Sequence, residues 1–483
     1  MIVVGSGFGG AVTALRLTQA GVPVLLLERG REWKTGPNAN TFPNPTRPDK
    51  RVLWHKSAPQ IFGRPFSPEP YVGLVDAFAG DNMTAVTAAG LGGGSLLYQG
   101  MSLEPAEHVF NEHLPEQLDW ARMHSVYYPR VSRMLRLATA PDALIRTPEY
   151  KAARLFAAQA RKAGLPVSKI PMPIDWQYAL DEIAGKMKRS YTDGSGALGV
   201  NNGGKNSVDT NYIAQARATG LLTVATRHEV TDVDRTRDGR WRLTVNQTDD
   251  TGATIVRRTM TTPALVMAAG SVHTTRLLLK ARDGNGVDLP DDLGTGWGTN
   301  ADRIYVWTNP NLDFGAVQGG PVVYGSLNWG DARTAHTVIQ ASIPSFGADV
   351  HSTMMVGYGV SKARGHLRFD SSTGDARLHW PADGDKRIQW GHIHPTAQKI
   401  AGRGGVLTDS NRFLNTTWHP LGGAAMGAVC DLAGRVHGQR GLYVIDGALI
   451  PGTAAACNPS MTIAAVAERA LDDIVARDVG TLI

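Results

Sequence analysis

Gly5-Ser6-Gly7-Phe8-Gly9-Gly10 opens the chain as G-x-G-x-x-G. The apolar run 1–4 precedes it as a short buried strand, a helical stretch over 11–20 follows, and 22–27 forms a second strand that ends on Glu28. This order is what a dinucleotide requires. Gly5 permits the tight turn, Gly7 lets the backbone approach a pyrophosphate, and Gly10 lets helix and strand pack closely. Glu28 stands where a carboxylate accepts hydrogen bonds from ribose hydroxyls, and its charge argues against a 2′-phosphate and so against NADP. A second glycine cluster, Gly90-Leu-Gly92-Gly93-Gly94-Ser95, has apolar, uncharged flanks. It reads as a loop whose backbone faces the same ligand. The C-terminal segment carries Trp418-His419-Pro420-Leu-Gly-Gly423, then Asp446-Gly447, then Cys457-Asn458-Pro459-Ser460-Met461 at the start of a helix running to Arg477.

Around these residues the chain of 483 residues is long enough for two or three structural units. Its 42% hydrophobic and 19% charged content is that of a globular enzyme. A net charge of +6 is spread without a dense basic run, so no nucleic-acid partner is expected. No apolar run reaches the roughly 20 residues of a membrane helix, so no integral membrane contact is expected. Two cysteines, Cys430 and Cys457, suggest neither metal knuckle nor disulfide framework. A reducing, cytoplasmic setting is the expectation, with a leader upstream of Met1 left open.

Periodicity over 119–163 is helical, with Leu135, Leu137 and Ala138 as candidate core positions. Residues 222–268 read as a β-meander: Val230 and Val233 share one strand, and Trp241, Leu243 and Val245 alternate with polar residues on the next. A short buried strand over 264–267 leads through Gly270-Ser271 into a helix. Strand-like runs between 304 and 380 predict an antiparallel sheet in a second domain. A βαβ start, a central meander and a closing C-terminal segment suit a fold that wraps FAD along its length. His392 and His394 form H-x-H. With no third ligand spaced nearby no metal is expected, and strand alternation would place both on one face.

Taken together, these motifs resemble the glucose–methanol–choline (GMC) flavin oxidoreductases, and within them the bacterial cholesterol oxidases that hold FAD non-covalently. The resemblance spans nearly the whole chain and implies an α/β, α+β architecture. A Rossmann-like, glutathione-reductase-like FAD domain would be built from residues 1–40, 205–302 and 411–483. A substrate domain with an antiparallel sheet and helices would come mostly from 41–204 and from 303–410, and a loop over 86–102 would meet the cofactor. The implied cofactor-binding residues are Gly5, Gly7, Gly10, Glu28, Gly90, Gly93, Gly94, Ser95, Gly100, Met101, Val230, Gly270, Asp446, Gly447, Pro459 and Met461.

The resemblance further implies hydride transfer from a secondary alcohol to flavin N5. A histidine can take the hydroxyl proton or hold the developing alkoxide, and His419 is the candidate. Asn458 can donate an amide N–H to the substrate oxygen or the flavin edge, or cap the helix that follows. That helix N-terminus would stabilise the negative charge of reduced flavin. Cholesterol oxidases carry a glutamate base on a substrate-domain strand, and that position falls on Gln340 here. An amide cannot accept and return a proton as a carboxylate does, so the isomerisation step is not expected. Gln340 is left to bind a substrate oxygen or to face solvent. Where the family has Asn-Gly-Gly-Met, this chain has Tyr98-Gln99-Gly100-Met101, which adds bulk near the flavin ring. The expected substrate is a bulky apolar alcohol such as a sterol, terpenoid or polyketide, with O2 or another acceptor taking the electrons. The alternative is a natural-product tailoring flavoenzyme that desaturates or rearranges without net redox change.

Overall fold

Short apolar segments, Ile2–Val4, Val24–Glu28, Leu265–Met267 and Leu442–Val444, leave no polar face to expose, so they can only be strands of a sheet covered on both sides. In a computed structural model, which describes residues 1–61, 64–412 and 415–483, they form an all-parallel sheet. Its order is 442–444, 265–267, 2–4, 24–28 and 222–226. Strand 2–4 pairs with 24–28 on one side (Ile2 beside Leu25) and with 265–267 on the other (Ile2 beside Leu265). Neighbours on both sides of the first strand make its carboxyl end the topological switch point, where open α/β sheets bind ligands. Gly5 to Gly7 lie there.

The helix Phe8–Gln19 packs beneath this turn, a little earlier than the expected 11–20. It crosses the sheet so closely that a Cβ on Gly9 would stand 1.7 Å from the Ile445 carbonyl oxygen, and one on Gly10 2.0 Å from that of Gly5. The C-terminal helix Pro459–Arg477 lies against it, held by Arg16 to Glu468 at 3.0 Å. The meander is Thr254–Thr262, Trp241–Thr248 and His228–Arg235, with Trp241, Leu243 and Val245 buried as their alternation requires. Residues 222–226, which the range 222–268 includes in the meander, instead form the parallel edge beside 24–28.

The second unit is a six-stranded antiparallel-rich sheet in the order 406–409, 303–308, 352–359, 336–341, 324–328 and 168–169. Its outer strands 406–409 and 168–169 come from outside the stretch that predicted it. The runs 366–370 and 375–379, expected within it, form a separate hairpin whose Leu367 and Leu378 join the core of the nucleotide-binding unit. One face of the sheet carries Ile339 and Tyr358, packed with Met101, Leu103, Met172 and Cys457. The other carries Tyr305, Trp307, Val338 and Met355, packed with Phe156, Ile393 and Ile400. Helix Tyr128–Met134 buries Leu135 at its end, but Leu137 is only half-buried and Ala138 is exposed. The helix stops at 134 and Arg136 turns left-handed (φ 51°), which breaks the 3.6-residue spacing. His392 and His394 lie on the helical stretch 389–401 rather than on a strand, and no group of His, Cys, Asp or Glu among the described residues could hold a metal. No helix among them is long and apolar enough to cross a membrane.

The approach at Gly9 is a steric demand that needs no unusual dihedral. Gly9→Ala should therefore cost at least about 2 kcal/mol, as overpacking against rigid backbone does. Urea unfolding would register it, and an unchanged midpoint would mean that the helix shifts freely.

Candidate active site

The two glycine loops meet each other. A Cβ on Gly93 would stand 2.7 Å from the Cα of Gly7, and one on Gly30 2.3 Å from the nitrogen of Gly90. Glu28 clasps them. Its buried carboxylate accepts from Ser6 N (3.2 Å), Ser6 Oγ, Gly30 N (2.8 Å) and Gly90 N (3.2 Å). Its oxygens therefore serve the loops, whereas the sequence reading had assigned them to ribose hydroxyls. Ser6 Oγ accepts in turn from Gly92 N, and Ser95 Oγ donates to Gly92 O at 2.7 Å. Asp446, at the end of strand 442–444, accepts from Gly270 N (2.8 Å), Thr274 Oγ1 and Ala448 N (2.7 Å). Burial raises its carboxyl to about 6 against the pull of those bonds. Asp446, Gly447 and Gly270 thus converge on the same sheet end as Gly5 to Gly10, while Val230 sits buried in the meander.

These residues fit a dinucleotide cofactor. A Cβ on Gly7 would meet nothing within 4 Å, so the open space lies where the first helix presents its N-terminus. Around the second loop, Gln99 Oε1 and Asp209 Oδ1 are buried without protein partners, as polar groups that await a ligand would be. Gly100 turns at φ 95°, and Met101 is buried beside the start of the C-terminal helix.

Lys205, which the sequence did not single out, holds this loop. Its Nζ donates to Leu96 O at 3.0 Å and to Tyr98 O, and stands 4.7 Å from the Tyr98 ring centroid. Burial lowers its pKa to about 7, with the Asp209 charge opposing. A neutral amine has two N–H groups, which matches the two bonds made.

His419 is ordered by a carboxylate 117 residues away in sequence. Its Nδ1 lies 2.6 Å from Asp302 Oδ1, and the side chains are 14% and 1% exposed. Asp302 Oδ2 accepts from Thr417 Oγ1 (2.7 Å) and Trp418 N (2.9 Å), so the carboxylate is fixed before it meets the imidazole. A carboxylate only accepts, so Nδ1 carries the proton and Nε2 is the proton-accepting nitrogen. Two residues earlier, Asn300 Nδ2 donates to Cys457 O (2.6 Å) and its Oδ1 accepts from Ala454 N (3.1 Å). The segment 299–302, bent at left-handed Ala301 (φ 57°), thus fixes both C-terminal loops. Ala455 and Ala456 are left-handed as well (φ 54° and 63°), a strain of order 1 kcal/mol each that the surrounding packing sustains. Asn300 and Asp302 were missed because no local motif marks them.

Two expected site residues are placed differently. Asn458 is buried at the start of the C-terminal helix, but its side chain makes no cap bond. Its Nδ2 donates to Met101 O and to Ser460 Oγ (2.8 Å), and its Oδ1 accepts from Leu103 N (3.4 Å). Both amide hydrogens are committed to the protein, so none remains for a substrate oxygen. Gln340 pairs with Met355, while Ile339 pairs with Val356 and Thr337 with Tyr358. Side chains alternate along a strand, so Gln340 lies with Val338 and Met355, on the face opposite Tyr358 and His419. It is neither solvent-facing nor part of this site: it is fully buried, with Nε2 donating to Ser342 Oγ at 3.2 Å.

Residues 361–467 match the family model described as GMC oxidoreductase, and residues 3–75 the model for an NAD(P)-binding Rossmann-like domain. The chain is 28% identical to a cholesterol oxidase of Mycobacterium tuberculosis, over 97% of this chain and 90% of that protein. It is 26% identical to a cholesterol oxidase of Acinetobacter baumannii, over 99% and 94%. Similar solved structures include pyridoxine 4-oxidase from Mesorbium loti (TM-score 0.65, 18% identity) and a fungal aryl-alcohol oxidase (TM-score 0.67, 15% identity), each covering 98% of both chains. At those identities the structures establish likeness of fold.

Lys205 gives the loop a measurable signature. Its folded pKa lies below the ordinary 10.5, so between about pH 7 and 10.5 the unfolded chain binds more protons and stability rises with pH. Relative to Lys205→Met, the wild-type unfolding free energy should gain about 1 kcal/mol from pH 7 to pH 8 in urea titrations. Parallel pH profiles would show that Lys205 stays charged when folded.

Proposed function

We propose that the chain is a GMC-type, FAD-dependent alcohol oxidoreductase, a reading supported by the match of residues 361–467 to that family and by its likeness to cholesterol oxidases over nearly its whole length, and that it oxidises a secondary alcohol on a bulky apolar molecule, such as a sterol, terpenoid or polyketide, with dioxygen taking up the electrons. The observation that carries this reading is the Asp302-bound His419 set against a buried apolar sheet face. Met101, Leu103, Ile339 and Cys457 share one hydrophobic cluster there. A substrate seated against this face would meet apolar side chains, and each CH2 that it buries there contributes about 0.8 kcal/mol.

When bound, FAD supplies the hydride acceptor. The chain's own contribution starts at Nε2 of His419, which takes the hydroxyl proton as negative charge gathers on the alcohol oxygen. Asp302 holds the ring in that tautomer and stabilises the imidazolium that results. Asn458 acts through the Met101–Leu103 backbone that it fixes, and so shapes the pocket wall. Gln340 stands on the far face, and with an amide in place of a carboxyl it offers no base for moving a double bond. The reaction proposed is therefore oxidation alone.

An anaerobic panel of secondary alcohols, from cyclohexanol to a 3β-hydroxysterol, tests the reading by flavin bleaching. The larger apolar members should bleach the flavin, and failure of every member would overturn the proposal. His419→Ala should slow bleaching by roughly 10²-fold or more. Asp302→Asn, whose amide can donate to Nδ1 and reverse the tautomer, should slow it by a comparable factor while leaving FAD content unchanged. Equal rates in Asp302→Asn and wild type would remove the aspartate from the mechanism.

A further inference from the structure

An alcohol oxygen that loses its proton needs a hydrogen-bond donor on its other side, and the residue expected to supply one, Asn458, has both amide hydrogens engaged. Tyr358 is the group on this face that remains. It is completely buried, and its hydroxyl has no partner in the protein. Its ring meets that of His419 edge-on, with centroids 5.7 Å apart and planes at 83°. Strand pairing sets it beside Thr337, on the face that carries Ile339 and packs with Met101, Leu103 and Cys457. The hydroxyl lies within electrostatic range of Asp302, the carboxylate that holds His419. Tyr150 and Tyr191 also bury partnerless hydroxyls, but Tyr150 Oη and the Tyr191 ring pack against Gly320 rather than His419.

We propose that Tyr358 is a catalytic residue of this site: its phenol O–H donates to the substrate oxygen while Nε2 of His419 accepts that oxygen's proton. The inference rests on the alcohol-oxidising reading above and adds a named donor to it. The balance is that of a two-electron oxidation. The O–H bond breaks toward His419, the adjacent C–H bond breaks with its electron pair leaving to the bound FAD, and the C=O bond forms. Tyr358 keeps its proton throughout, and its hydrogen bond strengthens as the oxygen gains charge and weakens again in the ketone. This also gives a reason for the orphan. A buried hydroxyl without a partner destabilises the fold, and that cost is carried where a ligand offsets it.

Tyr358→Phe removes one oxygen that bonds nothing in the protein, so a merely structural role predicts equal or slightly higher thermal stability and unchanged kinetics. Our proposal expects equal stability and FAD content with anaerobic flavin bleaching slowed roughly 10- to 100-fold. It also expects binding of the matching ketone, measured by calorimetry on oxidised holoenzyme and on FAD-free protein, to weaken severalfold in both forms. Wild-type bleaching with an unaltered Tyr358→Phe rate and ketone affinity would overturn the role of the tyrosine and leave the alcohol reading standing. If no alcohol bleaches the wild type, both fall together.

Discussion

The 2.6 Å contact between Asp302 and His419 is the constraint to which the rest of the site is referenced. An imidazole followed by Pro420 in a loop has no tautomer of its own; a buried carboxylate on one nitrogen leaves the other as the proton acceptor. The aspartate can do this because Thr417 Oγ1 and Trp418 N hold it first. Its neighbour Asn300 fastens the 454–457 turn, so one bend at Ala301 sets the spacing between the histidine and the start of the C-terminal helix. Three alanines in left-handed conformation surround this point, which is strain kept where geometry matters.

The cofactor cradle rests on a different kind of interaction. There the backbone carries the function, through close approaches that only a missing Cβ allows: Gly93 on Gly7, Gly30 on Gly90 and Gly9 on Ile445. Glu28 converts these contacts into a clasp by accepting from both loops. Lys205 does the same one step further on, holding the carbonyls that end the short helix Gly94–Leu97. The two halves of the site therefore have distinct physical bases: steric and backbone-polar around the glycine loops, side-chain electrostatic around His419.

The sheet of the second unit decides which side chains share a face with Tyr358 and His419, through its period of two. Moving one residue along strand 336–341 changes the face, which is why Gln340 belongs to the core behind the sheet while Thr337 bonds the Ala456 carbonyl in front of it. Asn458 lies where the sequence motif put it, yet its amide turns toward Met101 rather than outward.

Local order was legible in the chain itself. The glycine spacing of 5–10 and the alternation of Trp241, Leu243 and Val245 depend on neighbours a few residues away, and such interactions write themselves into sequence as period and spacing; the residue types at 28, 419, 446 and 458 are legible too, but their partners lie far off in the chain. The groups that surround them are not: Asp302 meets His419, Tyr358 edges the same ring, and Lys205 reaches back to Leu96 across 109 positions. Register, face and loop closure bring these groups together. Those are properties of how distant segments pack, and no local pattern of residue types encodes them.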